Sequence, residues 1–134
     1  METFLATLVI TFTLFLPQIG KSPVASNNRG IATIYSYRQE TCQELKTLNT
    51  GWMMDWSANP SICDGIESVP MIWCEAIPNT VGGNSAWVLG QNEPNLSNQC
   101  NKTFDEAAQL WHNLEAKYPD KKLVSPVPYS GDWY

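Results

Sequence analysis

Short apolar runs recur along the chain with turn-forming residues between them. Residues 31–35, 52–56, 69–73, 87–89 and 122–125 are blocks rich in aliphatic and aromatic side chains, and the stretches between them carry Gly, Pro, Asn, Asp and Ser. Near-continuous apolar runs without polar alternation predict strands covered on both faces, as in parallel sheets. Two stretches at helical spacing lie between them. Residues 39–48 put Leu45 and Leu48 at i and i+3. Residues 104–118 put Phe104, Ala107, Ala108, Trp111 and Leu114 on one stripe, which predicts an amphipathic helix with that stripe in the core. Thr103-Phe104-Asp105-Glu106 opens it with the residues of a capping box, and Pro119 stops it. Strand, helix and strand in this order is an α/β pattern, and residues 87–125 form one βαβ unit. About five strands are predicted. A closed (β/α)8 barrel needs eight strands and typically about 250 residues, more than this 134-residue chain offers, so the pattern reads as one cut short after about five strands.

The run from Phe4 to Leu16 is interrupted only by Thr7, Thr11 and Thr13 and ends at Pro17. It predicts a signal peptide over residues 1–25, with 26–134 as one domain. The competing reading is a retained anchor, but the run falls short of the roughly 18 residues that a membrane span needs. Eight Lys and Arg against thirteen Asp and Glu give a charge of -5, the wrong sign for holding phosphates, so nucleic acid is excluded as a partner. The four cysteines, Cys42, Cys63, Cys74 and Cys100, form no C-x-x-C pair and stand far from His112, the one histidine. That spacing argues against zinc. Behind an export signal it predicts two disulfides, with all three connectivities open. Asn95-Leu96-Ser97 and Asn101-Lys102-Thr103 are glycosylation sequons.

Glu93 follows the run at 87–89 and so emerges at the carboxyl end of a strand, where α/β sites gather. Pro94 biases Glu93 away from helix, and Gly90 permits close approach of the chain. Asn92 beside it offers an amide that both donates and accepts. That pair suits glycoside hydrolysis, in which an amide holds a sugar hydroxyl while a protonated carboxyl gives its proton to the leaving oxygen. The bland alternative is a surface turn with an exposed Glu. Trp56 and Trp73 end strands on the same rim and are candidate platforms for sugar faces. Trp52 and Trp87 start strands at the opposite rim and are expected to be structural. Asp55 is a candidate contact for a substrate hydroxyl, and Asp55 and Glu75, on the same predicted rim, are the carboxylates that would have to serve as nucleophile beside Glu93. His112 lies off the helix stripe and reads as a surface residue.

Five motifs in order resemble glycoside hydrolase family 128. They are Arg29-Gly30-Ile31-Ala32, Trp52-Met53-Met54-Asp55-Trp56-Ser57, Val69-Pro70-Met71-Ile72-Trp73, the stretch from Trp87 to Ser97 around Asn92-Glu93-Pro94, and the helix from Phe104 with Lys122-Leu123-Val124-Ser125-Pro126 behind it. Asp132-Trp133 fits the segment that follows. The resemblance implies a TIM barrel acting on β-1,3-glucan with retention, with Glu93 as acid/base at the end of the fourth strand. It implies a nucleophile near the seventh strand, which these residues do not reach, so the chain alone is expected to be nearly inert. No cofactor or metal is implied. The partner is a polysaccharide, and the location is extracellular or the cell wall. The chain departs from the family pattern at Asn95, where Asp is usual, at Asp55, where Asn is usual, and at Ala32-Thr33-Ile34. The competing function is a non-catalytic carbohydrate-binding or wall-associated protein. An open half-barrel of that kind exposes sheet edges and apolar face, which self-association would cover.

Overall fold

The computed structural model describes residues 27–33, 39–74 and 77–131. The expected leader, the end of the first predicted strand, Glu75 and Asp132-Trp133 lie outside the described residues. The elements are β1 (Gly30–Ala32), α1 (Gln39–Thr47), β2 (Trp52–Met54), β3 (Glu67–Ser68), β4 (Trp87–Leu89), α2 (Phe104–Lys117) and β5 (Lys122–Val124). Every strand pairing is parallel, in a three-stranded sheet of order β1-β2-β3 and a two-stranded sheet β4-β5.

The chain just after β3 joins the two sheets. Val69 N–H donates to Met53 O at 2.8 Å on one side. On the other, Leu89 N–H donates to Pro70 O and Ile72 N–H to Leu89 O, both at 2.9 Å, and Met71 bridges Leu89 in parallel. Strands therefore neighbour one another in chain order, with α1 and α2 as the helical crossovers. The third strand was expected at 69–73, but its regular ladder lies at Glu67–Ser68. The ladder with β2 ends there because Met71 N–H, the next donor on that side, reaches past Asp55 to Ser57 O at 2.9 Å, while Pro70, which has no N–H, limits the pairing toward β4 to the Met71–Leu89 bridge.

Two apolar clusters form the core. Met53 of β2 packs with Leu45 of α1, Cys63 and Ile66. Val88 of β4 packs with Ile72 and with Leu114 and Tyr118 at the carboxyl end of α2, Trp111 and Leu123 adding partly buried surface. The capping box is present: Glu106 N–H donates to the Thr103 hydroxyl, and Thr103 N–H to the Glu106 carboxylate. The expected core stripe needs one correction, since Phe104 is 60% exposed. As the first residue of α2 it overhangs a groove of about 330 Å3 instead of reaching the layer that Ala107 and Leu114 bury. Full covering of both sheet faces is also not observed. Trp87 is 43% exposed, with Lys122 Nζ 5.0 Å from its ring centroid. Trp52 lies over Gly30, where a Cβ would stand 1.8 Å from the indole.

The cysteine pairing left open by the sequence is Cys42–Cys63 and Cys74–Cys100. Among the described residues no helix is long and apolar enough to cross a membrane.

Candidate active site

The loops leaving β2, β3 and β4 open at the carboxyl ends of their strands. Together they line a cleft of about 620 Å3 with Asp55, Trp56, Trp73, Asn92, Glu93 and Gln99. Five of these six are the candidates chosen from sequence, drawn from three separate segments into one concavity.

Local geometry explains how each is presented. Asp55 Oδ1 accepts the Ser57 N–H at 3.2 Å, an Asx-type turn that encloses Trp56. Trp56 sits at φ 57. A bulky L-residue in the left-handed region is an outlier that costs about 1–2 kcal/mol, and such strain gathers at functional sites. Glu93 shares this conformation at φ 45. Its N–H donates to Val127 O at 2.8 Å, and its carbonyl accepts the Leu96 N–H at 3.0 Å. Asn92 bridges Val127 in parallel, so the backbone beneath the Asn-Glu pair is fixed to the continuation of β5. Closeness there requires Gly90, whose N–H donates to Val124 O at 2.9 Å and where a Cβ would lie 2.8 Å from that same oxygen.

The turn after Glu93 is closed by Lys102 N–H donating to Pro94 O at 2.8 Å. Asn95 secures it from outside: its Oδ1 accepts the Tyr129 N–H at 2.8 Å and its Nδ2 donates to Ser130 Oγ at 3.1 Å. Asn95 is thus committed to structure with both amide atoms, whereas Asn101 of the second sequon is exposed.

Among the described residues lining the cleft, the carboxylates are Glu93 and Asp55, flanked by two indoles and two amides. Trp73 is 45% exposed and presents ring surface. Gln99 was not singled out from sequence. Its Oε1 is buried without a hydrogen-bond partner. The one clue in the sequence was its place beside Cys100, whose bridge to Cys74 brings it next to Trp73. His112 lies elsewhere, on the outer face of α2, with Nδ1 3.1 Å from Glu115 Oε2. Among the described residues no group of three or more His, Cys, Asp or Glu gathers as metal ligands would.

Residues 30–134 match the family described as glycosyl hydrolase catalytic core. Among solved structures the chain is similar to an endo-β-1,3-glucanase of glycoside hydrolase family 128, subgroup II, from Sorangium cellulosum. The two share 27% identity over 77% of this chain and 47% of that one, with a TM-score of 0.62. It is also similar to a subgroup I endo-β-1,3-glucanase from Amycolatopsis mediterranei in complex with laminaritriose, at 25% identity over 77% of this chain and 44% of that one, TM-score 0.59. A subgroup V exo-β-1,3-glucanase from Cryptococcus neoformans shares the fold at 20% identity and TM-score 0.60, covering 79% of this chain and 49% of that one. The chain spans about half the length of these structures. No curated protein sequence matches it.

Proposed function

The chain belongs to the glycosyl hydrolase catalytic core family, among the β-1,3-glucanase-like members of glycoside hydrolase family 128, and on that premise we propose that its cleft binds β-1,3-glucan and carries the acid/base half of a retaining hydrolysis. The observation that supports this reading most is the convergence of Asn92, Glu93, Trp56, Trp73 and Asp55 on one cleft at the carboxyl ends of parallel strands. Parallel strands neighbouring one another in chain order fit the opening of a (β/α)8 barrel, and in such a barrel that rim is where the chemistry is carried out.

Trp56 and Trp73 offer apolar ring faces to the apolar faces of glucosyl units. Asn92 donates to and accepts from a hydroxyl of the sugar beside the scissile bond, and Asp55 accepts from a neighbouring hydroxyl. Glu93 in its acid form gives its proton to the glycosidic oxygen as the C–O bond breaks. A second carboxylate attacks the anomeric carbon from the opposite face and holds the sugar as an ester. Glu93, now ionised, takes a proton from the water that hydrolyses that ester, which restores both groups. The geometry requires the two carboxyl groups about 5–5.5 Å apart. We assign the nucleophile to a seventh-strand position of the complete barrel, outside these 134 residues. Two disulfides fit an extracellular or cell-wall location, the compartment in which a glucan is met.

The test is reducing-end release from a β-1,3-glucan by the purified chain beside Glu93→Gln. Turnover near background in both, with glucan binding retained, fits the assignment. Activity that vanishes in the variant would place a second carboxylate inside this chain, with Asp55 first in line. The second reading, a binding protein without catalysis, is favoured by a cleft that already presents the indoles and amides for sugar contact. It would stand if a full-length barrel carrying this segment also failed to turn over glucan.

A further inference from the structure

The two disulfides lie in different surroundings. Cys42–Cys63 ties α1 to the loop between β2 and β3, and Cys63 is buried in the cluster of Leu45, Met53 and Ile66. None of these residues lines the cleft. Cys74–Cys100 joins the residues that directly follow Trp73 and Gln99, both of which line it. Cys100 is itself 7% exposed, and its sulfur lies 3.1 Å from the backbone oxygen of Trp73 and 3.7 Å from that of Asn92. A disulfide sulfur has no proton to donate, so these are packing contacts. They press one sulfur against the main chain of the exposed indole and of the residue before Glu93.

We propose that Cys74–Cys100 positions the substrate wall of the cleft, fixing Trp73 and Gln99 relative to Asn92-Glu93, whereas Cys42–Cys63 contributes stability alone. The inference rests on the glucan reading for its ligand but not for its geometry. Without the bridge, the chain after Trp73 and the loop carrying Gln99 lose the covalent link that holds them together, and a stacking platform must be ordered at binding instead of beforehand. Cys74 and Cys100 are positioning residues, since neither side chain enters the cleft lining.

Sequence separations of 21 and 26 residues make the two bridges near-equal constraints on the unfolded chain, because loop entropy grows only with the logarithm of length. Removing either should therefore lower Tm by a similar amount, and a difference in ligand affinity isolates positioning. Cys74→Ser/Cys100→Ser and Cys42→Ser/Cys63→Ser would each be titrated with laminaripentaose by calorimetry, below the temperature at which circular dichroism detects unfolding. The expected result is at least a tenfold loss of affinity in the first pair and less than twofold in the second. Acrylamide quenching, taken as the difference between each form and its Trp73→Phe counterpart, should rise only in the first pair. Partial reduction of the folded wild-type chain, with the opened pair identified by alkylation and peptide mapping, gives the same comparison without refolding a variant. Equal affinities and equal quenching in the two pairs would overturn the proposal. If the wild-type chain binds no laminaripentaose, the glucan reading fails, and the quenching comparison still decides the positioning role.

Discussion

Gly90 gives the most direct handle on how the scaffold sets Glu93. A Cβ there would stand 2.8 Å from Val124 O, 3.2 Å from Pro126 N and 3.2 Å from Trp111 Cζ3. Two of those atoms are backbone and cannot swing aside, so relief comes by moving β4 and β5 apart by roughly half an ångström, toward ordinary contact near 3.4 Å. Overpacking of this size costs about 1–3 kcal/mol. Gly90 is not at positive φ, so alanine fits its backbone and returns about 0.4–1 kcal/mol through the unfolded chain. The central expectation for Gly90→Ala is a net loss of about 1.3 kcal/mol, or about 5–10 °C in Tm for a domain of this size. The same displacement crosses the Glu93 N–H to Val127 O bond, so affinity for laminaripentaose should fall several-fold. Gly131→Ala is the control. Nothing lies within 4 Å of its Cβ position and its φ is not positive, so Tm should hold or rise slightly. Thermal melts by circular dichroism on the three proteins check this. A Gly90→Ala Tm equal to that of Gly131→Ala would refute the argument that β4–β5 spacing requires glycine.

Thr103→Ala removes the hydroxyl cap of α2 and should cost about 1 kcal/mol, measured by denaturant unfolding. The Glu106 carboxyl is held below its ordinary 4.5 by the Thr103 backbone and side-chain hydrogen bonds and by nearby Lys102. A carboxyl lowered on folding adds stability above its unfolded value, and that stability is lost as pH falls through the folded one. The acid limb of Tm below pH 4.5 should therefore be shallower in Glu106→Gln than in the parent chain. Asp55→Ala frees Trp56 to leave the left-handed region and should weaken laminaripentaose binding about five- to tenfold, the equivalent of the roughly 1 kcal/mol that such a hydrogen bond contributes. Asp55→Asn keeps the acceptor and should stay within twofold. An equal loss in both variants would make the charge, not the turn, the active feature.

Much of this architecture was legible in the chain. The apolar runs place β1, β2, β4 and β5, although the covering of both faces that such runs predict is incomplete in β1, β4 and β5. The capping box and Pro119 bound α2. Asn-Glu-Pro behind an apolar run points to the rim on which the cleft opens. What was missed has physical causes. The ladder between β2 and β3 ends where Met71 N–H reaches past Asp55 to Ser57 O, a slip that composition does not show. Phe104 matched the helical stripe, but periodicity says nothing of how far a helix overhangs its sheet. The left-handed conformations of Trp56 and Glu93 are invisible to residue type, since neither favours them; they are imposed by the Asp55 turn and by the bond to Val127 O. Gln99 became a candidate only through a covalent link spanning 26 residues, and pairing is the one thing that cysteine spacing leaves open.

The central claim is that the cleft of Asp55, Trp56, Trp73, Asn92, Glu93 and Gln99 is a β-1,3-glucan site. Its most direct test is calorimetric titration of the purified chain with laminaripentaose beside cellopentaose, repeated on Trp73→Ala. A β-1,3-glucan site should give saturable binding of the β-1,3-linked oligosaccharide, weaker binding of the β-1,4-linked one, and loss of at least tenfold in affinity with the indole. Equal heats for the two sugars, or full affinity retained in a folded Trp73→Ala chain, would contradict it.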